Sequence, residues 1–127
     1  MKTLLDNEYH RLDLEDGIII ATWKNSFIDL DIAKKMVESR LEVLQGKQYP
    51  FLIKMKSFRE CTKEAREFYA SAQISKDYIA GAIHIESILE SFIANFFIAV
   101  NKPKTNFKIF NSEAKAKKWL AQYVKKD

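Results

Sequence analysis

The sequence predicts one α/β domain with a mixed, mostly parallel five-stranded sheet, an N-terminal β-hairpin and four helices. The chain has 127 residues, the size of one domain, and it shows no repeat, linker or low-complexity segment. A hairpin pattern near the N-terminus precedes short β-branched stretches that alternate with amphipathic helical stretches. Strands separated by helices pair in parallel through crossovers, so we assign residues 1–127 to a single domain of this class.

Two alternating segments around a turn predict the hairpin. Residues 9–14 alternate apolar and polar side chains, Asp16-Gly17 is a favoured two-residue turn, and residues 18–23 are rich in β-branched side chains. We expect the first of these two strands to form the edge of the sheet, with its charged side chains on the exposed side.

The most apolar stretch of the chain is predicted to be a buried strand followed by a helix. Residues 78–85 are small or β-branched, as in a strand covered on both faces. Ser87 and Glu90 have the spacing of a capping box, which starts a helix, and Asn101 suits its left-handed end. We expect the wide apolar face of this helix to lie in the core: Ile88, Leu89, Phe92, Ile93, Phe96, Phe97 and Val100.

Two more strands and three more helices complete the predicted order. The strands are residues 51–55 and 107–110, both short and apolar. The helices begin at side chains that can accept a hydrogen bond from a free backbone amide: Asp29 or Asp31, Thr62 and Ser112.

Composition predicts a cytoplasmic protein without a membrane segment. Cys61 is the only cysteine, which excludes an internal disulfide and suits a reducing compartment. The N-terminal residues lack the apolar core of a signal peptide. Glu86 and Glu90 interrupt the most apolar stretch well short of the about 20 residues that a membrane span needs.

The charge is unevenly distributed along the chain. From residue 101 onward, eight lysines face two acidic residues, so this part carries +6 and the remainder −2 of the formal +4. We interpret the lysines as a solvated helix face instead of a nucleic-acid site, because they lack interleaved aromatic residues, arginines or a nucleic-acid motif.

Few side chains in the sequence are suited to catalysis. Cys61 is the candidate nucleophile of a thiol enzyme, but no histidine lies near it in sequence. His84 is interpreted as a core or sheet-end residue, and with Glu86 alone it does not make a metal site. The chain has no phosphate-binding loop, glycine-rich dinucleotide turn or serine elbow, so we expect no enzyme, no cofactor and no metal.

The order of elements resembles the SpoIIAA-like fold, which STAS domains (the anti-anti-sigma factors) share with the Sec14-type, or CRAL-TRIO, lipid-binding domains. Residues 93–97, 101–103, 108–113 and 116–120 look more specifically like a group of small uncharacterised SpoIIAA-like proteins familiar from Bacteroidetes. The resemblance covers about residues 17–120, and it implies a fold but no established activity.

The anti-anti-sigma resemblance implies a phospho-acceptor hydroxyl where the third predicted strand leads to the next helix. Thr62 and Ser57 are the hydroxyls in this region, and a helix N-terminus favours an added phosphate. However, the glycine of the family pattern is missing here, so we interpret Thr62 mainly as a helix cap.

The sequence therefore predicts a non-enzymatic domain that acts through protein contacts, with a regulatory role as one form of this. The alternative is a binder of a small apolar or lipid-like ligand, and a Cys61 thiol enzyme is the third hypothesis. Phe92, Phe96 and Phe97 are the candidate ligand or partner surface. A helix that is apolar on more than one face must be covered, so we also consider a homodimer through this surface.

Overall fold

The computed structural model describes residues 1–55, 58–71, 74 and 77–125. Six strands form the main sheet. Apolar and β-branched residues, which favour the extended conformation, occur in these strands. Their bounds are β1 Lys2–Asp6, β2 His10–Glu15, β3 Ile18–Trp23, β5 Tyr49–Lys54, β7 Tyr78–His84 and β8 Phe107–Phe110. A small parallel pair lies apart from them, formed by β4 Phe27–Ile28 and β6 Glu60–Cys61.

Four α-helices connect or follow these strands in the described part of the chain. They are α1 Leu30–Leu44, α2 Lys63–Ala70, α3 Ile88–Phe96 and α4 Glu113–Ala121. Asp29, Thr62, Ser87 and Ser112 each accept a hydrogen bond from a first-turn amide, as expected for these side chains. The helix starts predicted from capping residues are thus confirmed, with Asp29 as the cap of α1.

The main sheet follows the order β1-β2-β3-β5-β7-β8, so each new strand is added beside the previous one. The first two pairings are antiparallel and the next three are parallel. Crossovers of constant hand that always step in the same direction place their helices on one face of a sheet. Side chains of α1, α2 and α3 accordingly join one core cluster, and α4 covers the other face with Ala116 and Leu120.

The predicted α/β class is confirmed, but the sheet has six strands where five were expected. The additional strand is β1, which pairs with β2 and forms the edge that we had assigned to β2. β1 carries two adjacent leucines, and its pairing register shifts between Thr3 and Leu5. This bulge removes the alternation by which a strand is detected from sequence.

Strand β7 is buried as predicted, and a glycine allows a close aromatic contact there. Ala80 and Ala82 are fully buried. A Cβ atom on Gly81 would lie 2.2 Å from Cε1 of Phe107, so only glycine leaves room for that ring. The Phe107 ring in turn meets the Tyr78 ring edge to face at 5.5 Å.

A buried polar group of α1 ties the helical layer to the sheet. Arg40 is 3% exposed; its guanidinium donates to the Tyr78 hydroxyl and lies 4.6 Å from the centre of the Tyr78 ring.

His10 is equally buried, with Nε2 3.1 Å from Oγ of Ser39. Ser39 donates its own hydrogen to the Met36 carbonyl, so Nε2 of His10 is the donor in this pair. Burial, together with the positive charge of Arg40, lowers the pKa of His10 to about 4.

We expect the free energy of unfolding to fall as the pH drops from about 6.5 to 4, by about 3 kcal/mol from His10 alone. The unfolded chain takes up the His10 proton near pH 6.5, whereas the folded chain takes it up only near pH 4. Urea denaturation at several pH values measures this loss. The variant His10→Gln should show a smaller loss over the same range, and equal slopes in the two proteins would contradict the assignment.

Candidate functional site

The outer side of α3 exposes an unusual number of large apolar side chains. We call this surface the apolar stripe; it consists of Ile88 (91% exposed), Leu89 (47%), Phe92 (69%), Phe96 (38%) and Val100 (57%). Ile88, Phe92 and Phe96 are spaced by four residues, so they lie along one side of α3, and Val100 lies in the helical segment that follows. A soluble protein scatters single apolar residues over its surface, but a row of them indicates a binding surface.

The start of α3 has the predicted Ser87 cap, while the Glu90 carboxylate bonds to the amide of Glu86, one residue before the cap, and not to that of Ser87 as a capping box requires. Ser87 Oγ accepts from the Glu90 amide at 3.1 Å, and Oε1 of Glu90 accepts from the Glu86 amide at 2.9 Å. Glu90 is only 4% exposed because it turns back toward the loop before the helix. The carboxylate near the helix N-terminus also suits the positive end of the helix dipole.

The end of α3 differs from the prediction. The helix continues as a π-helical segment, Phe97–Asn101, and the left-handed residue after it is Lys102, with φ of 50°. Asn101 therefore does not form the left-handed end that we expected, and its buried Oδ1 has no partner in the described structure. A π-helical turn carries an extra residue, and such turns are often found at functional sites.

Our expectation that the apolar face of this helix lies in the core is wrong for most of its residues. Phe92 and Phe96 point to the surface, whereas Phe97 is half-buried and meets the Phe107 ring at 5.8 Å. The inner side is instead made by Ala94, Ile93 and the buried part of Glu90. α3 is apolar on nearly every side, and the sheet can cover only one of them.

A small apolar cavity lies beneath the inner side of α3. Its volume is about 60 Å³, and it is lined by side chains of the sheet, of α2 and of the α3 region, including Ile53, Ile83, Tyr69, Ala94 and Phe97. Arg66 of α2 closes one side. Its guanidinium donates to the Cys61 carbonyl and lies 4.8 Å from the centre of the Phe96 ring, while Nε has no partner among the described residues.

Thr62 acts as the cap of α2, as the sequence analysis favoured. Its Oγ1 accepts from the Ala65 amide at 3.2 Å, and its own amide donates to the Ile28 carbonyl. The other candidate phospho-acceptor, Ser57, lies outside the described residues. Phosphorylation of either hydroxyl stays a prediction.

The surroundings of Cys61 do not suit a nucleophile, because they keep its thiol protonated. Burial raises the pKa of its thiol to about 11, against the smaller, lowering effect of the Arg66 charge. A reactive cysteine needs a lowered pKa, which a nearby base or a helix N-terminus provides. The thiol also forms part of the cavity wall, where it serves as an apolar side chain.

The structure has a polar cleft at the carboxyl ends of the parallel strands, which the sequence analysis did not predict. Lys54 ends β5 beside His84 of β7, and its Nζ lies 2.7 Å from Oε1 of Glu113 at the start of α4. The Lys54 ammonium lowers the pKa of Glu113. Glu113 is also held by Lys117 at 3.4 Å, so these charges are already paired with one another. No group of three or more His, Cys, Asp or Glu side chains among the described residues is placed to hold a metal ion.

Fold and site together define a SpoIIAA-like α/β domain with an exposed apolar helix. The chain is similar to an uncharacterised protein of the DUF3478 family with a SpoIIAA-like fold from Shewanella loihica PV-4. The identity is 16%, the match covers 91% of this chain and 98% of that chain, and the TM-score is 0.62. At this identity the likeness shows the fold alone, and it confirms the predicted one.

Residues 12–124 match a domain of unknown function, DUF7793, and the chain belongs to that family. A protein of unknown function from Arthrobacter sp. FB24 is 26% identical over 87% of this chain and 97% of that chain, with a TM-score of 0.32 that supports no structural argument. No protein of curated function matches the sequence. Within the described residues, no helix combines the length and the apolar content needed to cross a bilayer.

We expect Cys61 to react slowly with iodoacetamide in the folded protein. At pH 8 a thiol with a pKa of about 11 is almost wholly protonated, and the thiolate is the reactive form. Alkylation followed by mass spectrometry should be on the order of 100-fold slower than for a free thiol with a pKa of about 8.5, and it should reach the free-thiol rate in denaturant. Rapid alkylation of the folded protein at pH 8 would restore Cys61 as a candidate nucleophile.

Proposed function

We propose that this domain is not an enzyme and acts through contacts with protein, made by the apolar stripe on α3. The single observation that supports this proposal is the exposure of five large apolar side chains on α3 and the helical segment that follows it. A large apolar side chain carries about 150–250 Å², so the exposed fractions amount to on the order of 500 Å². Patches of about this size on a monomer are often functional.

The chemistry of the stripe favours a protein partner. The centre of a protein interface is typically depleted in charge and enriched in aromatic residues. The stripe has two phenylalanines, and its polar neighbours Ser91 and Asn95 are uncharged. Asn95 Nδ2 donates to the Ser91 carbonyl at 2.8 Å, so these neighbours already satisfy part of their own hydrogen bonding.

The absence of catalysis is part of the proposal, and the fold supports it. In open α/β sheets, ligands bind at the carboxyl ends of strands where the strand order reverses. The strand order of the main sheet does not reverse within the described residues, so a crevice at such a reversal is not formed. The raised pKa of Cys61 argues in the same direction.

A regulatory role, a cytoplasmic location and a bacterial source belong to the same proposal. They rest on the resemblance to small SpoIIAA-like proteins and on the single cysteine. Thr62 would lose its present capping geometry on phosphorylation, but the added phosphate would still face the free amides at the start of α2.

The cavity favours a second candidate function, the binding of a small apolar ligand. Its wall is almost entirely apolar, which is typical of a site for an apolar group. Its volume of about 60 Å³ is less than half of the about 150 Å³ that holds a benzene molecule in an engineered cavity. The present cavity therefore admits only a few carbon atoms, and a whole lipid would require α3 to move. For this reason we rank ligand binding second.

We expect a photo-crosslinking amino acid at Phe92 to capture protein in the cells that naturally make this chain. Replacement of Phe92 by p-benzoyl-phenylalanine keeps an aromatic side chain at a position that is 69% exposed, so the fold should be unaffected. Irradiation should give a discrete adduct of higher mass on a denaturing gel.

The matched control for this experiment is Phe27, another exposed phenylalanine (42%), which lies in β4 outside the stripe. The same replacement there should give no such adduct. A lack of any protein adduct at position 92, or equal adducts at both positions, would contradict the proposed function.

For the second candidate, we expect xenon to enter the cavity. Xenon under pressure should shift the NMR signals of the Ile83 and Ile93 methyl groups, since apolar cavities bind this atom. The variant Ala94→Met places a longer side chain in the cavity and should abolish the shift, and circular dichroism checks that the variant folds. An unshifted native protein, or an equal shift in the variant, would exclude an accessible cavity.

A further inference from the structure

We infer that the partner at the apolar stripe is a second copy of the same chain, related by a two-fold axis that passes near Phe92. The inference rests on the proposed function, because it names the partner at that same surface. It is supported by the charge of the surface, by the geometry of its exposed row and by the area available.

The first step concerns charge. From Ile88 to Asn101 the only charged residue is Glu90, which is 4% exposed. In a two-fold interface a surface meets its own copy, so an exposed charge near the axis would meet a like charge. The stripe itself therefore adds no exposed charge near Phe92; the charge in contact with it is Arg66 of α2, which lies over the Phe96 ring and donates to the Cys61 carbonyl.

The second step concerns shape. Ile88, Phe92 and Phe96 form a row on α3 with a spacing of four residues, and Val100 follows in the π-helical segment. Rows of this kind on two helices interdigitate at a crossing angle of about −50°, the commonest helix packing in globular proteins. Phe92 is the middle residue of the stripe and its most exposed aromatic side chain. The two Phe92 side chains therefore meet at the crossing point.

The third step concerns area. A stable interface buries about 800 Å² on each partner, and specific ones exceed about 1,000 Å² in total. Two stripes of on the order of 500 Å² reach that lower bound by themselves. Ser91 and Asn95 lie beside the stripe and supply the uncharged polar rim that such interfaces have.

A membrane surface fits the stripe less well. Helices that lie on membranes carry lysine or arginine on their polar side, which attracts anionic lipids. No basic residue occurs between Ile88 and Asn101. Vesicle binding is therefore treated as an outcome that counts against a dimer.

The test compares two charged variants of the central residue, Phe92→Glu and Phe92→Lys. Size-exclusion chromatography with light scattering should show the unchanged protein as a dimer at about 100 µM. Each variant alone should be a monomer, with dimerisation weakened at least about 100-fold, as for a hot-spot residue. An equimolar mixture of the two variants should again be a dimer, because the introduced carboxylate of one copy would then meet the introduced ammonium group of the other.

Controls keep the result interpretable. Leu41 is an exposed apolar residue of α1 (43%), so Leu41→Glu adds the same charge outside the stripe and should leave the dimer intact. Circular dichroism checks the fold of each variant. If Phe92→Glu does not fold, Ile88→Glu replaces it, since Ile88 is 91% exposed.

Four outcomes would overturn the inference: a native protein that is a monomer at 500 µM, a dimer that survives Phe92→Glu, variants that stay monomeric when mixed, or a monomer that binds vesicles of 30% phosphatidylserine through the stripe. The proposed function fails separately, if crosslinking at Phe92 captures no protein at all. A monomeric native protein with a crosslinked adduct of a different protein would reject the second copy and keep the proposed function.

Discussion

The arrangement of the molecule depends on one constraint: each new strand of the main sheet is added on the same side as the strand before it. Because β3, β5, β7 and β8 are added side by side in chain order, all three crossover helices lie on the same face. α1 and α2 share this face with α3, which comes last and thus lies at one end of the layer. A helix in that place can bury the side against the sheet and the side against its one neighbour, while its outer side stays open.

This constraint explains why several large apolar side chains of α3 remain exposed. The two buried residues of α3 are Glu90 and Ala94, while Phe92 and Phe96 are exposed. A charged residue inside and a phenylalanine outside reverse the usual order. The reversal is understandable if Glu90 is needed for its bond to the Glu86 amide and the outer phenylalanines are needed for a contact.

Much of the fold could be predicted from sequence, because the deciding signals are local. The hairpin of β2 and β3, the buried strand β7 and the Ser87 cap each depend on residues within a few positions of one another. β1 was missed because its bulge breaks the alternation. The pairing of Lys54 with Glu113 was missed because it joins residues far apart in the chain, whose neighbourhood is set only by the sheet.

The candidate site was predicted in part. Phe92, Phe96 and Phe97 were identified as one candidate surface, but the sequence did not show that they belong to two different sides of the helix. Hydrophobic periodicity shows that a helix has an apolar side, but α3 is apolar on most sides, and periodicity then cannot tell which side meets the sheet. The structure divides the three: Phe92 and Phe96 belong to the stripe, and Phe97 lines the cavity.

The stripe and the cavity are therefore two sides of the same short helix. Phe96 packs under the Arg66 guanidinium on the outside, and the adjacent Phe97 contacts Phe107 on the inside. A ligand larger than the present cavity would have to widen it, and a shift of α3 that widens it would also move the residues of the stripe. Conversely, a partner that holds the stripe would hold the cavity closed. Protein contact at the stripe and ligand binding in the cavity are therefore coupled through the position of α3, and they are not independent alternatives for this fold.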